Sequence, residues 1–82
     1  MTPRLYDRVA LTTPVPEHGL RAGDVATLID LVDHPGAGPR GAVLEVFNAL
    51  GESIRVVTVP ISAIAPLRAD EILAVRPLAA AG

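Results

Sequence analysis

Cysteine, lysine and tryptophan are all missing from this chain of 82 residues. Without cysteine, neither a disulfide scaffold nor a thiolate metal site can form. The aromatic side chains are Tyr6 and Phe47 alone, too few for the stacking platform that single-strand nucleic-acid binders use. All seven basic residues are arginines, scattered at 4, 8, 21, 40, 55, 68 and 76 and outnumbered by nine acidic ones. Phosphate neutralisation supplies most of a nucleic-acid binder's affinity and calls for a basic stripe, so nucleic acid is a disfavoured partner. No apolar run approaches the ~18 residues of a membrane span. The first seven residues are interrupted by charge and hold no signal-peptide core. The expectation is a soluble, cytoplasmic protein with no membrane partner.

What is present points to one folded domain of 8.5 kDa. Half of the residues are apolar and a fifth are charged, which excludes an intrinsically disordered chain. Apolar residues recur mostly with period two and many are β-branched, the signature of strands. The pattern predicts strands over Leu5–Thr13, Asp24–Val32, Ala42–Asn48, Ser53–Val59 and Ala65–Leu67. In the second, Val25, Thr27, Ile29 and Leu31 share a face. Pro14, Pro16 and Gly19 break the chain after the first strand, and Leu20–Asp24 is a compact turn in which Asp24 bonds backbone amides. Asp33–Gly41 reads as a loop, Ala49–Glu52 as a tight hairpin turn with Gly51 in the left-handed position, and Ile61–Ile64 as a 3₁₀ turn. The fold class is all-β: a small five-stranded SH3-like barrel over residues 1–67, followed by a C-terminal arm over 68–82. Asp70 is a suitable N-cap for a short helical turn through Leu73, which Pro77 limits.

Catalysis needs a placed nucleophile, base or metal, and no such pattern stands out. His18 beside Glu17 and His34 beside Asp33 are adjacent pairs that point in different directions, without a third ligand at metal spacing. Neither Ser53 nor Ser62 lies in a nucleophile elbow. Gly36, Gly38 and Gly41 beside Arg40 lack the Lys and Ser or Thr of a phosphate loop. The expectation is a protein that is not an enzyme and holds no cofactor or metal.

The third and fourth strands carry apolar residues on both faces. Ala42, Leu44 and Val46 oppose Val43, Glu45 and Phe47, and Ile54, Val56 and Thr58 oppose Arg55, Val57 and Val59. Strands apolar on both sides are normally covered on both sides. Two covers are available: the arm, through Ile72, Leu73, Val75 and Leu78, or a second chain, another copy or a different protein. The candidate interface is Val43, Glu45, Phe47, Arg55, Val57 and Val59, with Leu73 and Val75 of the arm. Phe47 is its anchor, as a lone aromatic in an aliphatic patch, and Arg55 and Glu45 set register at its rim.

Several stretches together carry a resemblance. Leu20-Arg21-Ala22-Gly23-Asp24-Val25-Ala26-Thr27-Leu28 is similar to the lead-in of the second strand in small SH3-like barrels. With Leu44–Glu52, Val57-Thr58-Val59, Ile64-Ala65-Pro66-Leu67 and the closing Asp70–Arg76, the chain resembles a bacterial domain-of-unknown-function family numbered 4926, from about Tyr6 to Arg76. Ala26 stands where that family usually has glycine, and the Asp33–Gly41 loop is longer than usual. The resemblance implies no established activity; it implies small genes beside toxin-like or nuclease-like neighbours, and so an immunity- or antitoxin-like role. The leading expectation is a non-enzymatic protein-binding module whose partner is itself, as a homo-oligomer and first of all a dimer, or a neighbouring gene's product. The alternatives are a nucleic-acid accessory barrel using Arg8, Arg21 and Arg40, and a non-catalytic subunit of a larger enzyme.

Overall fold

The structure is a computed structural model that describes residues 3–33, 36 and 38–78. The protein is all-β. Strands β1 (Arg8–Leu11), β2 (Val25–Val32), β3 (Gly41–Phe47), β4 (Ser53–Pro60) and β5 (Ile64–Pro66) form one antiparallel sheet in the order β4-β3-β2-β1-β5. Two 3₁₀ turns, Pro16–His18 and Ile61–Ala63, complete the regular structure. Among the described residues no helix is long and apolar enough to cross a membrane. No ladder joins β4 to β5, so the sheet is not closed.

Strand positions follow the alternation closely, with the largest difference at β1. It begins at Arg8 rather than Leu5, because Tyr6 takes a left-handed φ of +71° that ends any extended run before it. A turn replaces the expected strand start, with the Asp7 carboxylate accepting the Arg4 amide at 3.1 Å. The hairpin between β3 and β4 turns at Gly51, φ +84°. Asn48 Oδ1 accepts the Leu50 and Glu52 amides there, at 3.0 and 2.9 Å.

One face of the sheet is the core. Its buried residues are all apolar and come from all five strands, among them Val9, Leu28, Leu44, Val57, Val59 and Ile64. Leu20, in the turn before β2, joins them. Each fully buried Val or Leu contributes about 1.5–3 kcal/mol. Since no second layer exists among the described residues, a core shared by β1 and β4 requires the sheet to fold onto itself.

Two bulges decide which residues enter that core. In β2, Leu28 pairs with Leu44 and Asp30 with Val43, leaving Ile29 as the extra residue. The face therefore changes parity: Ala26 and Leu28 are buried, and Leu31, not Asp30, packs against the core beyond the bulge, so the face expected from Val25, Thr27, Ile29 and Leu31 is not the core face of β2. In the β3–β4 hairpin, Phe47 pairs with Ser53 but Val46 pairs with Arg55, so Ile54 is extra. An unbulged hairpin would set Val43 opposite Val57 and Glu45 opposite Arg55. A slip of one residue moves every side chain to the other face.

The bulge thus corrects part of the expected interface. Val57 and Val59 lie opposite Leu44 and Ala42 and are only 3% and 5% exposed, so they are core residues. Arg55 lies opposite the buried Val46 rather than at the outer rim, and its Nε is buried without a hydrogen-bond partner. The helical turn expected at Asp70–Leu73 is also absent. Asp70 pairs with Arg68 at 2.9 Å instead of capping, and a single turn forms as the Glu71 amide donates to the Arg68 carbonyl.

Where β3 begins, Gly41 sits between Val32 and Pro60. A Cβ there would lie 2.8 Å from Val32 Cγ2 and 3.2 Å from Thr58 Cγ2. Both neighbours are β-branched and stiff. Gly41→Ala is expected to destabilise the fold by about 1–3 kcal/mol, as overpacking does; urea unfolding measures it, and an unchanged midpoint would contradict the close packing.

Candidate functional site

The ladders lay out the outer face. One row crosses the sheet as Arg8, Thr27, Glu45 and Val56, and Val43 pairs with Thr58 in the next. Arg8 makes no ion pair among the described residues, while the Glu45 carboxylate accepts the Ser53 hydroxyl at 2.7 Å. At the hairpin end, Phe47 is 40% exposed and Val56 57%. Ile54, pushed out by the bulge, is exposed as well. Of the expected interface, Val43, Glu45 and Phe47 share this face. Ile54 and Val56 take the places expected for Val57 and Val59.

The arm returns to the sheet at one point. Arg76 Nε donates to Asp24 Oδ1 at 3.0 Å, and its Nη2 donates to Asp24 Oδ2 and to the Gly19 carbonyl, the latter at 3.2 Å. Asp24 Oδ2 also accepts the Arg21 amide at 2.7 Å, the turn contact expected from the sequence. Partial burial pushes the Asp24 carboxyl up, but hydrogen bonds from Arg76 and Arg21 and the charge of both residues outweigh it, so it sits below its ordinary value. The hydrogen bond to Asp24 raises Arg76 in turn. The pairing spans 52 positions, and no local pattern in the sequence announces it.

The pin residues Asp24 and Arg76 help line a groove of about 440 Å³, together with Phe47 and Ile54 of the hairpin and Leu73 and Leu78 of the arm. The arm borders the outer face without covering it. Ile72 and Val75 are 93% and 90% exposed, and Leu73 is exposed beside the groove. The arrangement offers apolar area bounded by one unpaired cation and one anchored carboxylate.

His18 lies in the first 3₁₀ turn, and His34 falls outside the described residues. Among the described residues no three His, Cys, Asp or Glu side chains come together as a metal site.

A family model matches residues 5–66, from just before β1 to the end of β5. The chain belongs to the family described as Domain of unknown function (DUF4926). The DUF4926 match therefore takes in the whole sheet and stops before the arm, short of the Arg76 to which the resemblance extends. No curated protein and no solved structure matches the chain.

The Asp24–Arg76 pin has a pH signature. A carboxyl held below its ordinary value keeps the pair ionised at neutral pH and loses it as the pH falls through the lowered value. The methyl resonances of Leu78, which lies against Gly19, should report arm release with a midpoint below the usual aspartate value of about 3.9. Arg76→Met should release the arm at neutral pH while the sheet resonances stay in place. A midpoint above the usual value, or a variant whose Leu78 does not move, would contradict the pin.

Proposed function

We propose that the protein is a non-enzymatic, cytoplasmic protein-binding module that presents Phe47, Ile54 and Val56 to a foreign protein, with the arm as one wall of the site. The observation that carries this reading is that the pinned arm leaves all three side chains exposed. A contiguous exposed apolar patch on a small domain is a common mark of an interaction surface. A central aromatic ringed by aliphatic residues is a common energetic anchor. Arg8 and Glu45, on one row beside the patch, would fix the partner's orientation, because charges at an interface set register more than affinity. The family resemblance adds the kind of partner: the product of a neighbouring gene, held in an immunity- or antitoxin-like way.

The test is capture from the native host with purified wild-type protein, Phe47→Asp and, as a surface control, Leu50→Asp at the exposed hairpin tip. The reading predicts one stoichiometric partner retained by wild type and Leu50→Asp and lost with Phe47→Asp, with all three proteins equally folded by circular dichroism. Identical captures by all three, or unfolding of Phe47→Asp alone, would overturn it.

A further inference from the structure

The two edges of the sheet are not alike. β5 is three residues long and ends in Pro66, which has no amide hydrogen to donate. A strand so short offers an incoming chain little to pair with. β4 is eight residues long and forms a ladder only with β3. No loop or turn among the described residues reaches it with a backbone hydrogen bond. Free edges of this length are normally guarded by charges, proline or a cover. Here the guarding devices sit at the two ends of the strand, the bulge at Ile54 with the inward-facing Arg55 at the start and Pro60 at the end, and leave Val56–Val59 between them without charge, proline or cover. The solvent side of the edge is Ile54, Val56 and Thr58, all exposed.

We propose that β4 pairs antiparallel with β4 of a second copy across a two-fold axis, joining two sheets into one continuous sheet. Strand self-pairing is the occupant favoured because the edge is complementary to itself. A two-fold axis perpendicular to the sheet keeps both outer faces on one side, so opposed residues share a face and the ladder is centred on a residue. Centring on Arg55 would set two guanidinium groups opposite each other, which is unfavourable. Centring on Val57 would bring Pro60 into the ladder opposite the partner's Ile54. Centring on Val56 avoids both: Val56 meets the partner's Val56, Ile54 meets the partner's Thr58, and the ladder runs from Ile54 to Thr58, with Pro60 outside it and Ser53 turned to the other face by the bulge. The pairing consumes both long edges and closes, and only the short β5 edges stay free. It sets the two Phe47 patches side by side on one face, yet it does not depend on what those patches bind.

Mass by light scattering behind a size-exclusion column tests the pairing on wild type, Val56→Lys, Val56→Glu, an equal mixture of those two, and Phe47→Asp. Wild type is expected at twice 8.5 kDa. Each Val56 variant should fall to half that mass, because like charges meet across the axis. The mixture should return to the dimer mass, and Phe47→Asp should stay dimeric. Amide exchange supplies a reading that needs no variant: a free edge leaves alternate amides of β4 fast, whereas the paired edge protects them all. A monomeric wild type, an oligomer larger than a dimer, Val56→Lys as dimeric as wild type, or fast alternate amides in β4 would each overturn the pairing. Dissociation by Phe47→Asp with Val56→Lys still dimeric would move self-association to the face and overturn it as well.

Discussion

With no α-helix among the described residues to lie against, a five-stranded sheet can keep one face dry only by folding that face onto itself, and the rest of the described structure follows from that constraint. The inner face must then be wholly apolar, since a polar group there would have no layer behind it to supply a hydrogen bond. The buried residues are accordingly aliphatic, with no buried polar or charged residue among those described. Arg55 is the exception, at the hairpin end of the sheet: the residue as a whole is half-buried, and its Nε is buried without a partner. Among the described residues, the chemistry open to another molecule lies on the outer face, the sheet edges, the turns and loops, and the arm.

The bulges at Ile29 and Ile54 connect that constraint to the candidate site. Bulges increase local twist and re-aim side chains, and a sheet that folds onto itself needs both effects. The bulge at Ile54 places Val57 and Val59 in the core and turns Val56 and Thr58 outward. It therefore builds the inner face and the exposed apolar patch in one step. The Asp24 carboxylate makes the second connection. It fixes the turn leading into β2 through the Arg21 amide and holds the arm through Arg76, so the wall of the groove is anchored to the start of a core strand.

Much of this was legible in the residues. β-branched alternation located β2, β3 and β4 to within a residue or so, Gly51 marked the hairpin, and Leu20 with Asp24 defined the turn before β2. Phe47 and Glu45 were legible as outward-facing because Leu44 and Val46 alternate with them on the same strand. The faces of β4 were not legible, because Ile54, Val56, Val57 and Val59 are nearly equivalent in hydrophobicity and only the bulge decides which pair turns inward. The helical turn at Asp70 failed for a different reason: a nucleus of four residues gains too little to form, and the nearby Arg68 competes for the capping carboxylate. The Asp24–Arg76 contact joins residues that no local rule connects.

The outer patch is open in the isolated chain while the aliphatic core beneath it is closed. Hydroxyl-radical footprinting of the purified protein, at a concentration where it is monomeric, tests this directly, because Phe47 is the only phenylalanine and its oxidation is read from one peptide. Heavy labelling is expected of Phe47 and of Ile72 and Val75 on the arm, with Leu44, Val57 and Val59 protected. Protection of Phe47 in the monomer, or labelling of Val57 and Val59 at the level of Val56, would contradict it.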